Sequence, residues 1–479
     1  MARYKEDHRE TLQFVVGSLD GLLPGDSVAR AIQAGLDQLD FTVYDALYAN
    51  DAVGCPALNP RGLAAVWTLG LLRGITSSVR LAELCGQDIE FRWLLGDAAV
   101  EKSTLCDFRR QHIGALASLS TQVLSALGQH HLLPAENMGV DGTIVRAASS
   151  RHSVKSRRRL EARQQHLEEV IRERLSREDD GAPSEEAKAL ARRRQRVARA
   201  LEAMTARGLA DETDRLTVTE PDAGIKRQKD GSYAPGYNAQ VVTDLDSGAI
   251  ISAAVVDAGN DAGQLQPQWE RAQAALHEAG VDVAEAPSLT ADSAYHDTRQ
   301  LDHLEKEGVA CYVPEDRTAN RAAPGVSPAY QADQFAYDET TDTLECPQGQ
   351  RLKRRKLNAG QTAAVHQAPA AACAGCPAKP QCCPNSQSGR CVNRSLYTET
   401  LATVAQRLDT DAGRRKKHAR WVVSEGAFAR LNGLLHWGRC RLWGMDGAEM
   451  ELLWRQFAHN LLLLAGVWKP LIPARAQAR

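Results

Sequence analysis

The segment ENMGVDGTIVRAA, residues 136–148, decides how the chain is read. Val140, Thr143, Ile144 and Val145 are β-branched, the residue type that suits a pleated strand. Asp141 sits inside that run, where an acid is disfavoured unless its carboxylate has a task. The segment therefore predicts a strand carrying one acid. Downstream, Gly236–Thr243 and Ala249–Val256 flank Asp246-Ser247-Gly248, which is a hairpin signal. A helix over Gln264–Ala279 follows, then a short strand, Ser288–Ala291, that ends at Asp292. Leu301–Glu307 reads as a helix and Val309–Val313 as a strand. A hairpin followed by strands alternating with helices predicts an α/β core with a mixed sheet.

Upstream, residues 1–135 read as helical. Asn59-Pro60 starts the apolar helix Arg61–Leu72, and Ser77–Leu84 continues at helical spacing. In Lys102–Arg110, Ser103 or Thr104 is placed to cap a helix carrying Arg109 and Arg110. A short turn and a basic second helix resemble a helix-turn-helix DNA reader; on these residues alone an ordinary helical bundle with surface arginines is the preferred reading. Residues 151–209 hold sixteen Lys and Arg against ten Asp and Glu. Two stripes at helical spacing run through them, Leu160, Gln164, Leu167, Ile171 and Leu175, then Ala187, Leu190, Val197, Leu201 and Met204. They predict a helical hairpin broken at residues 178–184, either a solvated arm or a phosphate-binding or dimerising one. Its exposed basic candidates are Arg157, Arg158, Arg159, Arg192, Arg193 and Arg194. Five of the eight tryptophans, Trp421, Trp437, Trp443, Trp454 and Trp468, fall in the helical residues 414–468. Most are expected to anchor a core, with one or two available to stack on bases.

The whole chain has 479 residues, 58 Lys and Arg, and 60 Asp and Glu, for a net charge of −2. A chain basic overall is excluded, so nucleic-acid binding would need local basic faces. No run of about 18 apolar residues occurs to span a membrane. The first residues, MARYKEDHRETLQFVV, lack the form of a secretory signal, so a cytoplasmic protein is expected. In that compartment eleven cysteines do not suggest a disulfide framework. Cys55, Cys85, Cys106, Cys311 and Cys440 read as lone core residues, and the other six crowd between Cys346 and Cys391.

Two constellations carry chemistry. Asp141, Asp292 at the carboxyl end of a strand, and Glu425 early in a helix can converge on one spot. Three convergent carboxylates need cations, and oxygen ligands suit Mg²⁺. Cys346, Cys373, Cys376 and Cys382 have the spacing of a closed structural zinc site, with Cys383 and Cys391 as competitors. Between them lies the basic run Arg351–Lys356, with Lys353, Arg354 and Arg355, suited to a phosphate backbone. Arg414, Arg415 and the rest of the run to Lys417 form a further basic segment.

In this order the parts resemble a bacterial insertion-sequence DDE transposase with an RNase H-like catalytic domain and a Cys-rich insert. The resemblance rests on SSVRLAEL at 77–84, STLCDFR at 103–109, VDGT around Asp141, and Asp222-Ala223 followed by GYNAQ at 236–240. It rests also on TADSAYHD around Asp292, the cysteine insert, Arg420, Glu425 and Phe428 in one helix, and AHNL at 458–461. One departure is Asn432, where the family often carries a DNA-contacting Lys; Arg430 stands nearby as a substitute.

The resemblance implies an N-terminal helical DNA-binding or dimerisation domain (1–135) and an RNase H-like catalytic domain (136–314 plus 401–479, with the helical insert 151–209). It implies a Cys-rich, zinc-ribbon-like insertion at 315–400. Asp141, Asp292 and Glu425 would be the catalytic acids and hold two Mg²⁺ ions, with Mn²⁺ able to substitute; the four cysteines would hold structural Zn²⁺. The implied reaction is cleavage at the element ends and strand transfer into target DNA. Double-stranded DNA would be the partner, Arg420 and Arg430 would join the DNA contacts, and the assembly would be a homodimer or larger at the nucleoid. A nuclease of the same fold without joining activity, and a domesticated non-catalytic DNA-binding protein, are the alternatives; the three acids all being present speaks against the last.

Overall fold

The computed structural model describes residues 17–48, 56–176, 184–228, 230–315, 325–435 and 437–469. Cys55 and most of the acidic stretch 178–186 lie outside them. The chain forms two compact units. No described helix is long and apolar enough to cross a membrane.

The first unit comprises residues up to Ala126, with Arg430–Trp437 and Leu453–Lys469. Its helices begin where capping side chains accept orphan backbone N–H groups. Asn59 caps Pro60–Leu72, Ser77 caps Ser78–Gln87 and Asp88 caps Ile89–Leu94. Gly70 lets two of these helices meet closely, since a Cβ there would lie 2.6 Å from Leu81 Cδ2. The core holds Trp67, Phe91, Phe108, Trp437 and Trp454. Trp67 Nε1 donates to Leu105 O at 3.1 Å and Trp454 Nε1 to Arg109 O at 3.2 Å, so each indole is paired where it is buried.

Two details differ from the sequence reading. The helix Lys102–Gln111 starts at Lys102, with Glu101 before it and no side-chain cap, so Ser103 and Thr104 lie in its first turn. Ile89–Leu94 intervenes between Ser78–Gln87 and Lys102–Gln111, because Asp88 ends one helix and caps the next. The two helices are thus not joined by one short turn.

The second unit comprises Leu127–Ala429 and Gly438–Leu452 among the described residues. It opens on β1, Asn137–Arg146. Strands β2 (Val154–Ser156) and β3 (Arg215–Thr217) pair at the base of a helical hairpin, Arg157–Leu175 and Glu185–Ala206. The hairpin closes on Leu160, Leu167, Val197 and Met204, stripe positions expected, together with Ala200 and with Leu216 of β3. Next come β4 (Gly224–Arg227), β5 (Tyr233–Asp244), β6 (Ile250–Val256), β7 (Ser288–Thr290) and β8 (Ala310–Tyr312).

These strands and β1 make one mixed sheet. β5 runs antiparallel to β1 on one side, while β4 and β6 pair with successive parts of its other edge. On the far side of β1, β7 and then β8 are parallel to it. The β5–β6 hairpin turns at Gly248, whose φ of 79° favours glycine. Buried Asp244 clasps that turn, accepting from Asp246 N, Ser247 N and Ser247 Oγ.

The segment Ala336–Ser395 is built mainly of strands. β9 (Ala336–Asp338), β10 (Thr343–Glu345), β11 (Arg351–Leu357), β12 (Ala363–Gln367) and β13 (Cys391–Ser395) form an antiparallel meander, each pairing with its neighbour in sequence. The basic run Arg351–Lys356, read as a loop, is strand β11. Its register shifts between Arg354 and Lys356, and this irregularity accompanies the exposure of Lys353, Arg354, Arg355 and Lys356 in succession.

Candidate active site

Asp141 lies at the middle of β1, where the parallel partner β7 has already ended: β7 pairs with β1 only at Asn137, Met138 and Gly139. Asp292 follows two residues after β7 and caps a short turn, accepting Ala294 N at 2.8 Å. The opening beside β1 past the end of a parallel neighbour is where α/β sheets place their sites. Glu425 comes from the helix Asp411–Ala429, which packs on β1. It sits near the end of that helix and not early in it, because Arg414–Arg420 are helix formers that extend it backwards. Glu425 is exposed and Asp292 half-buried.

Asp292 and Glu425 both act on Asp141. Burial pushes the Asp141 carboxyl up to about 6, and the charges of Asp292 and Glu425 add to the rise. Arg420 opposes it, its Nη1 standing 3.4 Å from Asp141 Oδ2, as does the Gly142 N–H at 2.9 Å from Oδ1. Arg420 is therefore turned to the acid, five residues before Glu425 in the same helix. Among the described residues no group of three or more His, Cys, Asp and Glu is placed to hold a metal ion as the side chains stand. The donor chemistry nevertheless suits a hard cation: the three acids offer oxygen ligands, and the Arg420 guanidinium stands beside Asp141.

Beneath β1 lies a polar network that sequence reading missed. Tyr295 Oη donates to Gln240 Oε1 at 2.5 Å. Gln240 Nε2 donates to Asp261 Oδ1 at 2.6 Å and to Asn238 Oδ1 at 2.9 Å, and Asn238 Nδ2 donates to Asp261 Oδ1 at 3.0 Å. Gln240 is paired in register with Gly142. Tyr295 is three residues after Asp292, so the network ties the Asp292 turn to the strand beside Asp141. Burial pushes the Tyr295 phenol up, and Asp261, Asp141 and Asp292 reinforce it. The available signal was Asn238 and Gln240 at alternate positions of an otherwise apolar strand, where buried amides must have partners.

Gly142 fits because nothing larger does. A Cβ there would lie 2.5 Å from Asp261 Oδ1, 2.5 Å from Gln240 Nε2 and 2.9 Å from Tyr295 Oη. Gly142→Ala is expected to destabilise the fold by about 1–3 kcal/mol through overpacking. Chemical denaturation would check it; an unchanged midpoint would show that the network yields freely.

Asp141 also gives the metal-free protein a pH signature. Its ordinary value is 3.8 and its folded value about 6. The folded state thus holds the proton more tightly, and stability is full below about pH 4 and falls as pH rises through about 6. Asp141→Asn should remove that fall, worth about 3 kcal/mol at neutral pH, and urea midpoints at pH 4 and pH 8 would read it.

Two comparisons with known proteins bear on the chain. Residues 345–465 match the family model described as "Transposase DDE domain". Residues 17–111 match the model described as "Transposase domain (DUF772)". Together they indicate an insertion-sequence DDE transposase. No curated protein matches the chain. Glu425 and the cysteine segment lie within the first matched range, whereas Asp141 and Asp292 lie outside both. For a DDE transposase a divalent metal is general and DNA is the implied partner.

In the chain, Cys346, Cys373, Cys376, Cys382 and Cys383 line one cavity of about 20 Å³, room for one water-sized occupant. Burial pushes the Cys382 thiol up to about 11 and that of Cys383 up as well; Cys383 interacts with both Cys373 and Cys382. Cys391 is exposed and does not line this cavity. No zinc site is found among the described residues. Cys85, Cys311 and Cys440 are buried and Cys106 half-buried.

The basic candidates divide. Arg110, Arg158, Arg159, Arg192, Arg193, Arg194, Arg415 and Lys417 are exposed. Others are engaged within the protein. Arg109 lies over the Trp67 ring at 4.6 Å and donates to Thr76 O. Arg157 holds Glu161 and the carbonyl of Leu209. Arg354 pairs with Asp342, Arg355 with Gln367 and Arg414 with Asp411. Lys416 donates to Asn137 and Ser288. Arg430 lies over Trp468 and donates to Lys469 O, so it is not a free substitute for a lysine at position 432. Trp437 and Trp454 are buried, while Trp421 and Trp443 are 59% exposed.

Proposed function

We propose that Asp141, Asp292 and Glu425 hold two Mg²⁺ ions and that the transposase cleaves DNA at the ends of its element and joins the freed 3′ ends to target DNA. The placement of Asp141 on β1, paired with Arg420 and within reach of the charges of Asp292 and Glu425, carries this reading. The strand order, with an antiparallel β6-β5-β1 half and a parallel β1-β7-β8 half, supports an RNase H-like core. When bound, the ions would activate the attacking oxygen and stabilise the leaving one. The chain's own part is positioning. β1 and the Asp292 turn are tied through Gln240 and Tyr295, which fixes the spacing of the two aspartates. Arg420 holds the Asp141 carboxylate and balances its charge until a cation does so.

The three-part organisation, with residues 1–135 recognising ends and 315–400 as an insertion, belongs to the same proposal, as do a dimeric or larger assembly and a place at the nucleoid. So does one structural zinc on Cys346, Cys373, Cys376 and Cys382, supported by the convergence of these thiols on one cavity.

The test is incubation of the purified protein with DNA carrying the gene's flanking inverted repeats, Mg²⁺ and a target plasmid. Cut ends and joined products are expected; cut ends without joining would indicate a nuclease, and neither would reject the reading. DNA binding should use the exposed basic strand β11. Neutralising Arg354 and Arg355 together should flatten the slope of log K against log salt by about 2, at roughly 0.9 per phosphate contact. An unchanged slope would place the DNA elsewhere.

A further inference from the structure

At the C-terminal end of β1 a polar groove of about 380 Å³ opens, distinct from the acids. Arg146, Ser149, Arg151, Tyr233 and Arg439 are among the residues that line it. Its walls are fixed by backbone pairing: Cys440 N donates to Arg146 O at 2.7 Å, and Arg146 and Arg439 form a parallel bridge. This bridge sets two arginines side by side in the groove wall. Arg439 is held rigidly, its Nε and Nη2 donating to the carbonyls of Ala147, Ala148 and Ser149. Asp230 is the acid in the lining; it pairs with Arg146 at 2.8 Å and also accepts from Ser232, leaving three arginines against one carboxylate. Arg151 is exposed and has no ion pair among the described residues. The Ser149 hydroxyl is buried, with the residue 5% exposed, and its Oγ has no hydrogen-bond partner. Tyr233, 65% exposed, lies in the same lining.

We propose that this groove holds a phosphodiester of a DNA strand, with Arg146, Arg151 and Arg439 neutralising it, Ser149 donating to it and a base stacked on Tyr233. The volume is that of a small-ligand pocket, enough for one nucleotide. Five residues of extended strand separate Arg146 from Asp141, about 17 Å, the rise of roughly five base pairs. The groove therefore lies where a strand leaving the acids would pass. This inference rests on the proposed action on DNA.

The experiment is fluorescence anisotropy of a labelled DNA duplex with a frayed end against the full chain, over a range of salt. Arg151→Gln with Ser149→Ala should weaken binding to all sequences alike and flatten the salt slope by about 1. Arg151→Lys should keep the wild-type slope, because the charge is retained. Tyr233→Ala should weaken binding several-fold without moving the slope, since stacking releases no counterion. If the wild type binds and the double variant shows its slope unchanged, the groove assignment is overturned while the proposed function stands. If the wild type binds no DNA at all, both fall. Melting temperatures matching the wild type would show that the variants fold.

Discussion

Asp141→Asn, Asp292→Asn and Glu425→Gln are each expected to lower DNA strand cleavage by about a thousand-fold or more, roughly 4 kcal/mol of barrier. Each substitution keeps the side chain's shape and removes one oxygen anion. At Asp141 the expected effects on activity and stability have opposite signs. Burial and two neighbouring acids oppose its charge in the metal-free fold, so the asparagine variant should be the more stable protein and the inactive one. A variant that lost activity together with stability would point to a folding defect. DNA binding should survive all three, measured by retained anisotropy on element ends. Cleavage at the wild-type rate by any of them would remove that acid from the site.

The second large effect is expected in the cysteine segment. Purified protein should carry about one zinc per chain, and Cys373→Ser with Cys376→Ser should lose it. Burial keeps the Cys382 and Cys383 thiols protonated in the absence of metal, so binding should release protons and strengthen as pH rises. A structural zinc contributes folding free energy on the order of 10 kcal/mol in small domains. The five strands over Ala336–Ser395 share a small core of Phe335, Leu344, Leu352 and Val392 with the cysteines. Proteolysis should therefore cut this segment first in the double variant or after chelation. Equal protease resistance with and without chelator would show that packing alone suffices there.

Much of the architecture was legible because local signals agreed. The β-branched run around Asp141, the Asp-Ser-Gly turn and the two apolar stripes of the hairpin each named an element that the structure contains. The elements that carry the three acids were legible for the same reason: Asp141 falls inside a strand, Asp292 just after one, and Glu425 within a helix. Tertiary partners were not. Nothing adjacent in sequence tells Arg420 to face Asp141, or Arg109 to cover Trp67, instead of reaching solvent. The basic run at 351–356 looked like a loop because lysine and arginine are poor strand residues, yet neighbours on both sides pair it into a sheet. Asp261 was invisible because its role depends on Asn238 and Gln240, more than twenty residues away. Glu425 was assigned to the right helix and the wrong end, a boundary error that helix-forming residues before it explain.

The most direct measurement is a crystal structure of the full chain soaked in Mn²⁺, with anomalous scattering used to place the ions. Two peaks about 3.5–4 Å apart are expected among Asp141, Asp292 and Glu425, with Arg420 displaced from Asp141 as the ions take over its charge. Peaks elsewhere, or none at these carboxylates with Arg420 still on Asp141, would contradict the two-metal site.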